Sequence, residues 1–150
     1  MTLTPARLLV VDDDADIVKL VSHAMRARGF LVEGATTLPE ALKLIETTTY
    51  DVVLTDKNLK GSTGLELIDV LTLRSPSTAI VLMTAYPEGA LGRIATLDGY
   101  VGKPFRSLDV VAQTLNDARE GRQRRLERQK MLGKLGEVAT ALAPAPSRAR

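Results

Sequence analysis

Acidic residues follow directly on an apolar stretch near the amino terminus, where aliphatic residues at 8–11 lead into three consecutive aspartates. A fourth aspartate, Asp16, comes two residues after them. At about 4 Å and a near-surface dielectric, two like charges repel by roughly 4 kcal/mol. Asp14 is expected to cap a following helix, but capping does not require Asp12 and Asp13 as well. Their two carboxylates are therefore candidates for binding a cation.

Three more polar residues, Asp56, Thr84 and Lys103, stand at or near the ends of later apolar segments. With Asp12 and Asp13 they would bring together three carboxylates, a hydroxyl and an ammonium group. Carboxylate oxygens without thiol or imidazole suit a hard cation such as Mg²⁺ or Mn²⁺ better than zinc. In such a site the cation and the lysine neutralise phosphoryl oxygens, the threonine donates a hydrogen bond, and a carboxylate attacks in line. The residue types therefore indicate phosphoryl transfer.

Apolar segments and helical patterns alternate along the chain. Five apolar segments have the length and composition of buried strands: 8–11, 30–35, 51–56, 78–84 and 100–105. Helical patterns lie between them and after the last. Thr37 and Thr63, each with a glutamate three residues later, predict the starts of two helices, and a last helix is expected to begin near Ser107.

This alternation predicts an α/β fold, a doubly wound five-stranded parallel sheet with right-handed crossovers and helices on both faces. In such open sheets, ligands bind outside the carboxyl ends of the strands. Asp12 and Asp13 end the first strand, Asp56 ends the third, Thr84 ends the fourth, and Lys103 lies near the end of the fifth. Successive sites are 44, 28 and 19 residues apart in the chain, yet the fold would bring them to one edge.

Four motifs in this order resemble one known family. They are VVDDD at 10–14, LTDKNLKGSTGLELI at 54–68, MTA at 83–85 and YVGKPF at 100–105. Together they resemble the receiver domain of the response regulators of bacterial two-component signal transduction, over residues 7 to about 120. The resemblance implies a flavodoxin-like sheet of strand order 2-1-3-4-5. It also implies a cytoplasmic signalling switch, not a classical enzyme, with a histidine kinase or phosphotransfer protein as partner and an unknown protein downstream.

The resemblance assigns roles to the residues at the edge of the sheet. Asp56 matches the acceptor that takes a phosphoryl group from a phosphohistidine in a Mg²⁺-dependent reaction. Asp13 matches the direct acidic metal ligand, and Asp12 matches its neighbour, which often acts through water. Asn58 matches the residue whose backbone carbonyl binds the metal. Asp12, Asp13, Asp56 and Asn58 are thus the expected metal ligands.

The same resemblance assigns the conformational response. Thr84 matches the switch hydroxyl, and Lys103 matches the lysine that pairs with the phosphoryl group, followed by Pro104 in a step that is commonly cis in this family. Tyr100 matches the aromatic switch that swings inward after phosphorylation. The stretch between Thr84 and Lys103 is shorter than in most members and contains Gly89 and Gly92. We therefore expect the helix between the fourth and fifth strands to be short, displaced or partly disordered.

Charge divides the chain near Gly121. Residues 1–120 hold 12 basic and 16 acidic residues, whereas 121–150 hold 8 basic and 2 acidic ones. This asymmetry predicts a receiver domain at 1–120 and a basic helical extension with a Pro/Ala-rich tail at 121–150. The chain has no Cys, no apolar signal core at its start and no apolar run as long as a membrane span, which favours an intracellular protein away from the membrane.

The extension predicts a helix to Leu142, where Pro144 and Pro146 would stop it. Leu132, Leu135, Ala139 and Leu142 follow a heptad pattern, but the pattern runs back onto arginines and is weak as a coiled coil. An extended last helix, a homodimer contact and the start of a linker to an output domain all remain open. The basic run at 122–130 is expected to be a solvated face rather than a nucleic-acid contact, because no recognition-helix pattern follows it.

Two other classes of protein remain open from the residues alone. A Mg²⁺-dependent phosphohydrolase of haloacid-dehalogenase type also uses an aspartate nucleophile after the first strand. Such enzymes carry paired acids late in the chain, whereas this chain has Thr84 and Lys103 there. A pseudo-receiver, an interaction module that takes no phosphate, is the second alternative. The complete set of acids, threonine and lysine favours the phosphate-accepting receiver over it.

Overall fold

A computed structural model describes residues 4–85 and 97–142 of the chain. Within these ranges a five-stranded sheet is surrounded by four helices, and a two-stranded hairpin lies beside it. The strands of the sheet are β1 (Arg7–Val11), β2 (Leu31–Ala35), β3 (Val52–Asp56), β6 (Ala79–Thr84) and β7 (Gly99–Gly102). The hairpin strands are β4 (Asn58–Leu59) and β5 (Ser62–Thr63). The helices are α1 (Ala15–Arg26), α2 (Leu38–Thr47), α3 (Gly64–Arg74) and α4 (Leu108–Leu142).

All neighbouring strands of the main sheet are parallel, in the order β2-β1-β3-β6-β7. This order is the predicted 2-1-3-4-5 when the long strands alone are numbered, so the predicted fold class is confirmed. The central strands are buried along their whole length, except that Asp56 at the end of β3 is partly exposed. Their unbroken apolar runs have the composition expected of strands covered by helices on both faces.

Each face of the sheet packs against a different pair of helices. On one face, Val10 and Leu54 of the sheet pack with Met25 of α1 and Leu115 of α4. On the other face, the alternate strand residues pack against α2 and α3. Because side chains alternate along a strand, adjacent residues in one apolar run serve two separate cores. Leu20 of α1 lies outside this core, since its side chain is about half exposed.

The predicted helix starts are confirmed. Asp14 caps α1, since its Oδ1 accepts the Asp16 N–H at 2.9 Å. Thr37 caps α2 through the Glu40 N–H, as the capping box predicts. Thr63 occupies the N-cap position of α3, so the predicted start of this helix is confirmed, but the side-chain hydrogen bond of a capping box is absent there.

Two details of the strands differ from the sequence prediction. The fifth strand of the sheet ends at Gly102 instead of reaching 105, and the Lys103–Pro104 peptide that follows it is cis, as the resemblance implies. The short hairpin between β3 and α3 was not predicted; it is closed at Gly61, whose φ of +76° lies in the left-handed region. The predicted irregular helix between the fourth and fifth strands lies outside the described residues.

Gly64, the first residue of α3, lets this helix approach the end of β3. A Cβ atom on Gly64 would overlap the backbone carbonyl oxygen of Asp56 and approach Thr55 Oγ1 to 3.1 Å. The Gly64 N–H also donates to the Lys57 carbonyl at 2.8 Å. The position of Asp56 therefore depends on the absence of a side chain at Gly64.

A buried carboxylate joins α4 to the body of the protein. Asp98, next to β7, accepts hydrogen bonds from the Ile80 N–H at 2.8 Å and from Arg122 Nη2 at 2.7 Å. Arg125 forms a further ion pair with the same carboxylate, whose side chain is only 1% exposed. Helix α4 is continuous through Gly121, so the basic extension begins as a part of α4 that is ion-paired to the sheet.

Helix α4 is the longest helix of the described residues, at 35 residues and about 52 Å. Its amino-terminal part contributes Val111 and Leu115 to the core, while the residues from Glu127 onward are exposed. In the part of the chain that the structure describes, no helix has the length and apolar character needed to cross a membrane.

Replacing Gly64 by alanine is expected to destabilise the protein by about 1–3 kcal/mol, because the new methyl group must displace the Asp56 backbone. Urea unfolding measures the loss. The matched control is Gly121→Ala in α4, where a Cβ meets nothing within 4 Å. That change is expected to be neutral or to stabilise the helix by up to about 1 kcal/mol. Equal stability of the two variants would contradict the proposed role of Gly64.

Replacing Asp98 by asparagine is expected to destabilise the protein by about 2 kcal/mol, because partly buried Arg122 loses its counter-charge. The asparagine side chain can still accept the hydrogen bond from the Ile80 N–H. The loss of stability therefore measures the contribution of the negative charge of Asp98. Asp109→Asn is the control, since the ion pair of Asp109 with Arg28 has an aspartate side chain that is 84% exposed. Surface pairs of that kind contribute up to about 1 kcal/mol. Similar losses for both variants in urea unfolding would show that the Asp98 cluster is not a buried anchor.

Candidate functional site

The carboxyl ends of the strands meet at one edge of the sheet and carry the polar residues singled out from the sequence. Asp12 directly follows β1, and Asp56 is the last residue of β3. In the parallel register, Asp56 lies beside Met83, and Thr84 lies beside Gly102. Lys103 therefore comes directly after the end of β7, next to the end of β6.

Backbone hydrogen bonds fix the positions of the loops at this edge. The Asp12 N–H donates to the Ala35 carbonyl at 3.2 Å, and the Lys103 N–H donates to the Thr84 carbonyl at 2.9 Å. The Lys57 N–H donates to the Met83 carbonyl at 3.0 Å. Each residue that leaves a strand thus remains tied to the neighbouring strand, which holds the side chains at a fixed spacing.

Three carboxylates converge at this edge. Asp12, Asp13 and Asp56 each offer one carboxylate oxygen, and these oxygens lie within 4.8 Å of one another. Asp12 is fully buried, Asp56 is partly buried and Asp13 is exposed. The cluster thus opens to solvent on the side of Asp13, where a cation or a phosphoryl group can enter.

The ammonium group of Lys103 bridges two of these carboxylates. Its Nζ donates to Asp12 Oδ2 at 2.5 Å and to Asp56 Oδ2 at 2.9 Å. Burial would lower the pKa of Lys103, but hydrogen bonds and charge from Asp12 and Asp56 outweigh it and raise the pKa. The lysine is therefore a permanent cation at neutral pH and the counter-charge of the cluster.

The ionised form of Asp12 remains disfavoured despite the contact with Lys103. Burial raises the pKa of Asp12, and the hydrogen bonds from Lys103 and the Asp14 N–H offset the rise only in part. The charge of Asp56 raises it further. A second cation near Asp12 and Asp56 would stabilise both ionised carboxylates.

The second oxygen of each buried carboxylate is held by a backbone amide. Asp12 Oδ1 accepts the Asp14 N–H at 2.9 Å, and Asp56 Oδ1 accepts the Asn58 N–H at 3.2 Å. In each carboxylate, therefore, one oxygen accepts a hydrogen bond from a backbone N–H and the other accepts one from Lys103. Both groups are held in a single orientation before any ligand arrives, which reduces the reorganisation that binding requires.

The oxygen-rich composition of the cluster fits a magnesium ion. Mg²⁺ prefers oxygen ligands and commonly binds through one or two carboxylates together with waters and phosphate oxygens. Asp12, Asp13 and Asp56 supply three carboxylates with no competing thiol or imidazole among them. Three negative charges against the single charge of Lys103 leave the cluster with excess negative charge, which a divalent cation would neutralise.

The remaining predicted residues lie around this cluster. Thr84 is buried at the end of β6, and Asn58 is exposed at the start of the β4–β5 hairpin. Tyr100 lies on β7 beside Leu82 and is 51% exposed, so its ring is not packed in the core. The structure thus brings Asp12, Asp13, Asp56 and Lys103 into one cluster and sets Tyr100 on the edge strand.

Sequence reasoning missed two contributions to the site. Gly64 allows α3 to approach the Asp56 backbone, and the Asn58 N–H orients the Asp56 carboxylate. A glycine at the start of a predicted helix was the available signal for a close approach, because glycine is a poor residue for a helix interior. The role of the Asn58 backbone N–H could not be recognised from the sequence, since every residue except proline has a backbone N–H.

An apolar groove of about 480 Å³ lies beside the cluster. Ile17 and Leu20 of α1 line one side, and Pro104, Phe105 and Leu108 line the other. Lys103 also lines this groove, so the apolar surface is continuous with the charged site. The groove therefore offers an apolar contact surface that borders Lys103, the residue that contacts Asp12 and Asp56.

Comparisons with known proteins identify the family to which the chain belongs. The model of the response regulator receiver domain matches residues 8–115. The DNA-binding response regulator MtrA of Mycobacterium tuberculosis is 33% identical over 110 residues, which cover 71% of this chain and 48% of MtrA. The chain spans about half the length of the curated relatives it matches.

Solved structures agree with this match. The chemotaxis response regulator CheY4 of Vibrio cholerae superposes with a TM-score of 0.71 at 31% identity, over 77% of this chain and 99% of CheY4. A response regulator of Burkholderia pseudomallei, solved with a phosphorylated aspartic acid, calcium ion and citrate, has a TM-score of 0.68 at 26% identity. That match covers 81% of this chain and 74% of the other. With its sheet order and its acidic cluster, this chain belongs to the response regulator receiver domain family of two-component signalling proteins.

Proposed function

We propose that Asp56 accepts a phosphoryl group from a phosphohistidine on a histidine kinase or phosphotransfer protein, in a reaction that requires Mg²⁺. The observation that carries the proposal is the cluster itself. Three carboxylates lie within 4.8 Å, and one ammonium group contacts two of them. Capping and loop formation explain Asp14 and one oxygen each of Asp12 and Asp56, but they leave the convergence of three carboxylates unexplained.

The transfer forms a bond between a carboxylate oxygen of Asp56 and phosphorus, and it breaks the P–N bond to the donor imidazole. The electron pair of the P–N bond goes to the ring nitrogen, which leaves as neutral imidazole because the other ring nitrogen carries a proton. Lys103 remains beside Asp56 and pairs with the added negative charge. The Asn58 N–H holds the Asp56 carboxylate in the orientation that attack requires.

Asp12, Asp13 and Asp56 would hold the magnesium ion, together with the backbone carbonyl of Asn58. When bound, the ion supplies positive charge that neutralises phosphoryl oxygens as the group is transferred. The chain itself supplies the nucleophile, the lysine and the fixed carboxylate orientations. It acts as a phosphoacceptor switch that promotes its own phosphorylation and dephosphorylation, not as a classical enzyme.

The conformational response is assigned to Thr84 and Tyr100. The phosphoryl group carries about −2 of charge and three acceptor oxygens in place of the single negative charge of the Asp56 carboxylate, and the Thr84 hydroxyl is on the neighbouring strand. When Thr84 moves toward the phosphoryl group, the exposed ring of Tyr100 occupies the space it leaves. A shift of a two-state equilibrium from 1:99 to 99:1 requires roughly 5.5 kcal/mol, which a few charge-assisted hydrogen bonds can supply.

Two surfaces are available for protein partners. The apolar groove between α1 and Phe105 is lined in part by Lys103, which contacts Asp56, so it suits the protein that delivers the phosphoryl group. The surface around Tyr100 and Val110, both more than half exposed, suits a downstream partner that distinguishes the two states. We propose that the chain consists of a receiver domain at 1–120 and a basic extension at 121–150. MtrA is named as DNA-binding, but the prediction that this chain makes no nucleic-acid contact remains a prediction.

The acceptor is tested by mass spectrometry after incubation with acetyl phosphate and Mg²⁺. We expect an adduct of about 80 Da, one phosphoryl group, that hydroxylamine removes as it does from acyl phosphates. Asp56→Asn is expected to abolish the adduct, because an amide is not a nucleophile for this reaction. Asp69→Asn, which removes an exposed carboxylate on α3, is the matched control and should label like the original chain.

The same experiment distinguishes the two alternative classes. Release of phosphate from many substrate molecules for each protein molecule would identify a phosphohydrolase. Absence of labelling with both acetyl phosphate and a panel of phosphorylated histidine kinases would identify a pseudo-receiver. Persistence of the adduct in Asp56→Asn would move the acceptor to another residue and overturn the assignment.

The metal site is tested by thermal unfolding with added Mg²⁺. At ten times the dissociation constant, binding stabilises the folded state by about 1.4 kcal/mol, which raises Tm by roughly 3–6 °C in a domain of this size. Asp13→Asn removes an exposed ligand and should lose most of this increase. Asp16→Asn, an exposed aspartate outside the cluster, should keep it. An equal Tm increase in both variants would exclude Asp13 as a ligand.

A further inference from the structure

Thr55, which directly precedes the proposed acceptor, carries a buried hydroxyl group with no role so far. The residue is fully buried in β3, beside Val11 of β1 and Leu82 of β6. Its Oγ1 donates a hydrogen bond to the backbone carbonyl of Asp56 at 3.1 Å. A buried hydroxyl without a partner is costly, so this bond satisfies Thr55 itself. The same bond also constrains the backbone of the residue that is proposed to take the phosphoryl group.

The peptide unit that joins Asp56 to Lys57 is held at both of its ends. Its carbonyl oxygen accepts the hydrogen bond from Thr55, and its N–H donates to the Met83 carbonyl of β6 at 3.0 Å. A peptide unit is planar, so hydrogen bonds at its two ends fix its rotation about the chain. Removing the Thr55 hydroxyl would remove one of these two constraints.

The next peptide unit, between Lys57 and Asn58, is held in the same way. Its carbonyl oxygen accepts from the Gly64 N–H at 2.8 Å, and its N–H donates to Asp56 Oδ1 at 3.2 Å. The backbone that follows Asp56 therefore orients the carboxylate of Asp56. Of the four hydrogen bonds on these two units, the bond from Thr55 is the one donated by a side chain. A substitution can therefore remove it without changing the acceptor or the backbone.

Helix α3 begins directly against this hydroxyl group. A Cβ atom on Gly64 would lie 3.1 Å from Thr55 Oγ1, so the hydroxyl is enclosed between the end of β3 and the start of α3. Threonine is β-branched, and its χ1 angle is restricted to few values. The enclosed hydroxyl therefore has few directions other than the one toward the Asp56 carbonyl.

We propose that Thr55 is a positioning residue for phosphoryl transfer to Asp56, an inference that rests on the proposed function of this acceptor. The Thr55 hydroxyl holds the backbone from Asp56 to Asn58 in the orientation in which the carboxylate of Asp56 and the carbonyl of Asn58 serve one magnesium ion. Thr55 itself acts through the backbone and not on the phosphoryl group. A threonine with a purely structural role would affect stability alone, whereas a positioning residue also affects Mg²⁺ affinity and the rate of transfer.

The test compares Thr55→Val, which is similar in size and removes the hydroxyl, with Thr55→Ser, which keeps it. In Thr55→Val we expect the dissociation constant for Mg²⁺ to rise and the rate of labelling by acetyl phosphate at saturating Mg²⁺ to fall. Each change should be about two- to tenfold, the range that corresponds to one net hydrogen bond. Thr55→Ser should restore both values. Calorimetry with magnesium chloride measures the affinity, and mass spectrometry over time measures the rate.

Thr78→Val is the matched control. Thr78, just before β6, is also buried, and its Oγ1 donates to the backbone carbonyl of Tyr50 at 2.7 Å. This bond lies at the amino ends of β3 and β6, opposite the acidic cluster. Thr78 also contacts the Ser75 hydroxyl at 2.6 Å, so the control should lower stability in urea at least as much as Thr55→Val. It should leave Mg²⁺ affinity and the labelling rate unchanged.

The outcomes separate the role of Thr55 from the proposed function. Unchanged affinity and rate in Thr55→Val, equal losses in Thr55→Val and Thr78→Val, or a Thr55→Ser variant as impaired as Thr55→Val would each overturn the positioning role and leave the acceptor in place. A chain with its original sequence that neither binds Mg²⁺ nor takes the label would instead overturn the proposed function, and the positioning role with it.

Discussion

The contact of one ammonium group with two carboxylates organises the functional edge of this protein. Lys103 Nζ lies 2.5 Å from Asp12 and 2.9 Å from Asp56, and these three residues lie at the carboxyl ends of three different strands. Without that cation, two aspartates side by side at the end of a sheet would repel each other strongly. The lysine lowers this repulsion, yet burial still raises the pKa of Asp12, so the cluster retains the capacity to attract a further cation.

The strand register determines which side chains meet at this edge. Asp56 pairs with Met83, so a shift of β3 by one residue would turn its carboxylate toward the opposite face of the sheet. Two separate cores, on opposite faces of the same strands, oppose such a shift, because Leu54 and Val53 would exchange faces with it. The packing that stabilises the fold therefore also maintains the geometry of the site.

The sequence predicted the strands and the candidate residues at their ends well, because both signals are local. Apolar runs identified the sheet, and the parallel arrangement implied that Asp12, Asp56 and Lys103 meet at one edge. Features that depend on the approach of distant segments gave little local signal. The overlap that a Cβ on Gly64 would make with Asp56, and the pairing of Asp98 with Arg122 and Arg125, appear only when the elements are packed together.

Strand β7 links the candidate site to the long helix. Lys103 follows its carboxyl end, and Asp98, with its two arginines from α4, precedes its amino end. The strand has only four residues, about 13 Å at the usual rise, and it hydrogen-bonds to β6 along its length. So short and regular an element cannot absorb a displacement by bending. A movement of Lys103 or Tyr100 that shifted the strand would therefore reach Asp98 and, through its two arginines, the part of α4 where the basic extension begins.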